Sequence, residues 1–147
     1  MSQITLSQFM KSASTLPGTI QGHRSNDEFL CQFKELFRCQ DAKDASNVLY
    51  AFLCEKKIPR VKSKSNVLYV GCTKETLSSR YLSAAKTMSS GENWDFYSYI
   101  IEHYGPIRIM YRSIVDIGTS LKEGEAELLK DYFKLHREYP PKNFQSR

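Results

Sequence analysis

The run Val48-Leu49-Tyr50-Ala51-Phe52-Leu53-Cys54 constrains this chain most. Its only polar side-chain group is one phenol hydroxyl. A short run of this kind reads as a strand buried on both faces. An echo follows at Val67-Leu68-Tyr69-Val70-Gly71, again with a tyrosine in third place. The two runs predict an antiparallel hairpin with a long tip. That tip, Glu55 to Lys64, carries five cations and one anion, and so supplies four of the five net positive charges. Lys56, Lys57, Arg60, Lys62 and Lys64 together suit a polyanion, nucleic acid first. The plain alternative is a solvated loop. Pro59 has no N–H to give to a ladder, so pairing is expected to be interrupted there.

The rest of the chain supplies helices and one more strand. Thr5 to Ser12 predicts a short helix. Ser25-Asn26-Asp27-Glu28 has the form of a capping box, and Phe29, Leu30, Phe33, Leu36 and Phe37 then recur on one helical face. Asp41 to Ser46 is polar and reads as the change from helix to strand. After Gly71, Thr73 is the expected N-cap of a helix carrying Leu77, Tyr81, Ala84 and Met88, with Gly91 as its breaker. Asn93 is expected to cap the next helix, which Gly105-Pro106 stops. Ile107 to Val115 predicts a third strand, and Ser120 to about Arg137 the last helix. The expected fold is α+β: a small, largely antiparallel three-stranded sheet flanked by helices. Residues 1–46 read as an N-terminal helical extension packed on a core of residues 47–147.

With 147 residues, 41% hydrophobic and 25% charged, the chain is expected to be soluble and globular, not disordered. No apolar run approaches the roughly 20 residues of a bilayer span. Met1-Ser2-Gln3-Ile4-Thr5 lacks a basic region before an apolar stretch, so no signal peptide is expected. Cys31, Cys39, Cys54 and Cys72 form no C-x-x-C pair and no zinc-like spacing with histidine. They read as structural thiols of a reducing, cytoplasmic compartment.

Four side chains could carry chemistry. On the last helix, at about 100° per residue, Leu121, Leu128, Tyr132 and Leu135 form one apolar stripe, and Glu125 falls within it, about 40° from Leu121. Glu123 and Glu127 point to the far side. A carboxylate aimed at the core is costly without a partner. Either Glu125 pairs with a cation such as Arg80, or it reaches a cleft and holds a metal. Arg80 lies at the edge of its own helix's stripe, where a guanidinium can fork onto a phosphate or a carboxylate. Tyr50 and Tyr69 stand at matching places on neighbouring strands; a core tyrosine with one satisfied hydroxyl is the bland reading of each. His23, His103 and His136 have no nucleophile setting; His136 shares the Glu125 face three turns on, so a role near the site stays open beside a place at the surface or helix end.

Taken together these residues resemble the GIY-YIG nuclease family. Val48-Leu49-Tyr50 stands at the first triplet and Tyr69-Val70-Gly71 at the second. Arg80 follows at the expected helical distance. Glu125-Ala126-Glu127-Leu128-Leu129 is similar to the family's late glutamate motif, and Asn143, after Pro140-Pro141, to its terminal asparagine. Phe96 to Gly105 resembles its middle helix. The likeness covers about residues 47 to 144. The first triplet departs by Val48 and Leu49, and the spacing between triplets is long. Many members carry a histidine one turn after the arginine, where this chain has Ala84 and Ala85.

The resemblance implies a Mg²⁺-dependent (or Mn²⁺-dependent) endonuclease that hydrolyses DNA, with one ion on Glu125. It implies Arg80 as phosphate clamp, Tyr50 as general base with Tyr69 beside it, and Asn143 steadying Glu125 or nearby backbone. Tyr50 must either be depressed by cations or take the proton only as bond formation proceeds. The cationic tip would grip backbone phosphates, and cutting a palindrome would need a homodimer. The alternatives are a nucleic-acid-binding module of the same fold without catalysis, and a structural domain with a buried Arg80–Glu125 pair.

Overall fold

The computed structural model describes residues 4–115 and 118–143. The first three and last four residues of the two expected units therefore lie outside the described residues. The chain is organised on a four-stranded antiparallel sheet of β1 (Ser14–Thr15), β2 (Val48–Pro59), β3 (Lys64–Thr73) and β4 (Arg108–Ser113), in the order β1-β4-β2-β3. The sequence predicts three strands. The fourth, β1, is two residues long, pairing Ser14 with Tyr111 and Thr15 with Met110, and two residues show no alternation. It draws the N-terminal segment into the sheet.

β2 is central, and Val48 to Cys54 are all buried. Tyr50, Phe52 and Cys54 face α2 (Asn26–Phe37), α3 (Gln40–Asp44), α4 (Leu77–Leu82), α5 (Ala85–Met88) and α6 (Gly91–Tyr104). Leu49, Ala51 and Leu53 face α1 (Leu6–Ser12) and α7 (Leu121–His136). Two helical layers thus cover the run that has no polar face. The cap at Ser25 forms as expected, its hydroxyl accepting from the Glu28 N–H at 3.2 Å. Phe29, Phe33 and Phe37 behind it are fully buried.

Several boundaries differ from the sequence reading. Thr73 is the last residue of β3, buried and paired with Val48; the cap of α4 is Thr76. The expected single helix is broken at Ser83-Ala84 into α4 and α5. Gly91 opens α6 at φ +57° instead of ending a helix, and Asn93 lies in that helix's first turn. The polar stretch after Cys39 winds into α3. The cationic loop is mostly strand: Pro59 pairs with Lys64, and the turn itself is residues 60–63, with Ser63 at φ +66°. Pairing breaks earlier, between Leu53 and Ile58, so the proline only ends the strand. On α7, Leu135 is exposed and His136 is buried, because its Nδ1 finds the Lys62 carbonyl at 3.0 Å.

Candidate active site

The strand register aims the second tyrosine, and a bulge lies next to it. Phe52 pairs with Tyr69 and Leu53 with Val67, leaving Leu68 as an extra residue in β3. Tyr50 pairs with Gly71 and Phe52 with Tyr69, so Tyr69 comes to the same sheet face as Tyr50, ring centroids 6.1 Å apart. Gly71 makes room for both. A Cβ there would lie 2.7 Å from Tyr50 Cζ and hydroxyl and 2.7 Å from Tyr69 Cε2. The Tyr50 hydroxyl lies 2.6 Å from that of Tyr81. α4, fastened where Thr76 Oγ1 accepts from the Ser79 N–H at 3.0 Å, carries Arg80 beside them. The guanidinium sits 5.7 Å from the Tyr81 ring centroid and faces the Tyr50 hydroxyl.

Burial decides the protonation of these phenols. It raises Tyr50 above the usual tyrosine range, although the Tyr81 hydrogen bond and the Arg80 charge pull the other way. It raises Tyr69 further, helped by Tyr50 and Glu125 and opposed by Arg80. Tyr81 is raised too, again chiefly by burial. At neutral pH the cluster is therefore a set of neutral phenols, so a tyrosine depressed by cations is not the state of the free protein. Tyr50 is fully buried and Tyr69 only partly, which makes Tyr69 the end of the cluster that meets solvent.

Glu125 approaches from the opposite layer. Its side chain is 19% exposed, and Oε1 accepts from the Cys72 thiol at 3.4 Å. Lys122 Nζ is 4.0 Å away on a side chain that is 89% exposed, so that contact contributes little. Cys72 is pushed up to about 11 by burial and then by Glu125, and stays a thiol. Arg80 and Glu125 thus stand on different faces of the sheet and meet around the edge strand β3, with Tyr69 feeling both charges. Among the described residues no ion pair joins them. The open alternative of a buried Arg80–Glu125 pair is not what forms.

Asn143 is buried in a 3-10 turn, Pro141–Asn143. Its Nδ2 donates to the Val70 carbonyl at 2.9 Å and its Oδ1 accepts from the Val70 N–H at 2.8 Å. It steadies the backbone of β3. Of the tip cations, Lys56, Lys57, Lys62 and Lys64 are exposed, whereas Arg60 is engaged. Arg60 bonds Glu138 at 3.1 Å and the Tyr139 carbonyl at 2.8 Å, docking the tip on the end of α7. A groove of about 1000 Å³ runs there, lined by Arg60, Lys130, Phe133, Lys134, Arg137 and Tyr139 among others.

The sequence reading did not single out Tyr81, Cys72, Lys130, Lys134 or Arg137 for the site. Tyr81 keeps its apolar stripe whether or not its hydroxyl is bonded. The α7 cations occupy its outer face at i, i+4 and i+7, a stripe that sequence could have offered.

A divalent ion at Glu125 is compatible with this chemistry. The donor is a hard carboxylate oxygen, and its neighbour is a protonated thiol. Among the described residues no group of three or more His, Cys, Asp or Glu side chains converges. An ion with one protein ligand and a shell of water and phosphate oxygens is the manner of Mg²⁺. No family model, no curated protein and no solved structure matches this chain.

Proposed function

We propose that the chain is a metal-dependent endonuclease of the GIY-YIG type, hydrolysing phosphodiester bonds of DNA across the β3 edge. One observation carries the reading. Arg80 stands with Tyr50 and Tyr69 on one side of the β3 edge and Glu125 reaches its other side at Cys72, yet the two form no ion pair with each other. A phosphate held by Arg80 would face the carboxylate that holds the ion.

Arg80 clamps two oxygens of the scissile phosphate. Glu125 would hold Mg²⁺ or Mn²⁺, which when bound supplies charge relief on the phosphoryl oxygens. Tyr50 and Tyr69 act as a coupled pair whose ionisation belongs to both. With one proton lost from the pair, Tyr69 meets the attacking water and its proton is taken up there. Tyr50 shares the charge from behind, against Arg80. The water oxygen bonds to phosphorus, the P–O3′ bond breaks, and O3′ leaves to be protonated by solvent. Asn143 holds β3 in place, and Cys72 orients Glu125 by its hydrogen bond. Lys130, Lys134 and Arg137 give the DNA backbone a track along α7, and the exposed tip lysines extend it. Cutting a palindrome would take two copies.

Plasmid and branched DNA incubated with Mg²⁺ or EDTA test this. Nicking should require Mg²⁺ and vanish in Glu125→Ala. Metal-dependent nicking that survives Glu125→Ala removes the site assignment. Salt-sensitive binding without cutting by the natural chain would favour the binding-module reading.

A further inference from the structure

Beside Tyr69 lies a second, smaller cavity of about 200 Å³, on the α4–α6 side of the sheet. Arg80 and Tyr69 form part of its wall. So does Lys142, the residue before Asn143. The Lys142 ammonium stands 5.2 Å from the Phe96 ring centroid and 5.9 Å from that of Tyr97. Aromatic faces attract a cation, but they do not neutralise it. Burial lowers the Lys142 ammonium below the usual lysine range, and the Glu92 charge offsets this only in part. No carboxylate lies within ion-pair distance of Arg80 or Lys142 among the described residues.

Two cations thus line one cavity with no carboxylate at ion-pair distance among the described residues, and the Tyr69 phenol shares the wall with them. Partly desolvating a lysine charge costs free energy unless something compensates. The position is also built, not accidental. Asn143 fastens its turn to Val70 by two hydrogen bonds, and this fixes the adjacent lysine over the rings. Ala84, a small side chain, is also in the wall.

We infer that Lys142 and Arg80 form a two-cation site for a phosphate group, with Tyr69 as its neutral hydrogen-bond donor. On the nuclease reading, on which this source rests, the phosphate is one of the nucleic-acid backbone, held at the scissile position or next to it. Free inorganic phosphate has the same chemistry. The site needs no metal, so it is tested in EDTA, where no cutting occurs.

Two measurements do this. First, inorganic phosphate is titrated into the protein while the Lys142 Nζ and Arg80 Nε resonances are followed. Both should shift together and saturate, more than the exposed Lys86 does. Second, DNA binding is measured against salt for the natural chain, Lys142→Met and Lys142→Arg. Methionine keeps an apolar stem over Phe96 and Tyr97 and removes the charge. Each phosphate neutralised contributes about 0.9 to the salt slope. Lys142→Met should therefore flatten the slope by about one, and Lys142→Arg should restore it. A saturating phosphate response without any change in slope would assign the site to the free ion and overturn the backbone assignment. No phosphate response, with an unchanged slope, overturns the site altogether. These outcomes are separable from the nuclease reading. A protein that cuts normally but lacks both responses loses only this site, and one that never cuts but shows them keeps it.

Discussion

The contact between Tyr50 and Tyr81 gives the sharpest test of the site's construction, because it can be broken without disturbing any ring. Tyr50 is fully buried and Tyr81 is 5% exposed. Their hydroxyls are 2.6 Å apart. Replacing either by phenylalanine keeps the edge-on ring contact, with centroids 5.6 Å apart, and removes one oxygen. The two substitutions are not equivalent. Without its own hydroxyl, Tyr50 leaves that of Tyr81 buried with no other hydrogen-bond partner among the described residues. An unsatisfied buried group of this kind costs about 1–3 kcal/mol. Without the Tyr81 hydroxyl, Tyr50 still faces Arg80. That loss is the net worth of one hydrogen bond, about 0.5–1.5 kcal/mol.

Tyr50→Phe should therefore destabilise more than Tyr81→Phe. For a chain of this size about 2 kcal/mol lowers Tm by roughly 4–8 °C. The double variant orphans neither oxygen, so it should cost less than Tyr50→Phe alone, about the net worth of one hydrogen bond. The cycle would return a coupling of about 2 kcal/mol. Denaturant unfolding of the four proteins measures all of this, with or without any cutting activity. Strictly additive costs, or a larger loss in Tyr81→Phe, would refute the arrangement of the hydroxyls.

Gly71→Ala should cost about 1–3 kcal/mol by overpacking, because a methyl there meets two aromatic rings at 2.7 Å. An unchanged Tm together with an unchanged near-ultraviolet tyrosine signal would disprove the close approach. Alkali should unfold the protein through its buried phenols. Burial raises Tyr50, Tyr81 and Tyr97 in the folded state, while in the unfolded chain a tyrosine ionises near pH 10. Their contribution is fully present below that pH. It is lost above it, where the unfolded chain gives up protons that the folded one keeps. The slope is about 1.4 kcal/mol per pH unit for each, or about 4 for the three. Tyrosinate absorbance from Tyr81 and Tyr97 should appear only together with loss of the far-ultraviolet signal; their ionisation near pH 10 in a folded protein would contradict their burial. By the same sign, cutting should rise from neutral pH towards alkaline without a plateau below about pH 10, and a plateau near neutrality would exclude the tyrosine pair as base.

Sequence revealed the parts of this site whose position follows from local periodicity. Tyr50 lies in a run with no polar face, so its burial was legible. Glu125 falls in the α7 stripe by simple rotation, and its side chain is indeed only 19% exposed. Arg80 sits at a stripe edge on α4. What sequence did not reveal depends on contacts between distant elements. Leu68 as a bulge is a property of pairing with β2, not of the residue. Cys72 looks like any strand thiol until α7 brings Glu125 to it, 53 residues later in sequence. Arg60 is one of five tip cations until Glu138 engages it. Leu135 and His136 exchanged places for the same reason: a histidine can be buried once a carbonyl of the tip accepts its ring N–H.

The site's place in the fold has a physical reason. A four-stranded sheet with helices on both faces keeps the two layers apart, except at an edge. β3 is such an edge, and only there can Arg80 from one layer and Glu125 from the other act on one group. An open edge is also a hazard, since its free N–H and C=O groups invite another strand. The Asn143 side chain occupies both groups of Val70 and so closes the edge at the level of Tyr69 and Gly71. The same turn presents Lys142 to the cavity beside Tyr69. One short segment thus serves two needs, protecting the strand and completing the charge around it. Loosening Asn143 would therefore weaken the edge and displace the second cation together. The asparagine acts through β3 and Lys142, and no proton transfer needs to pass through it.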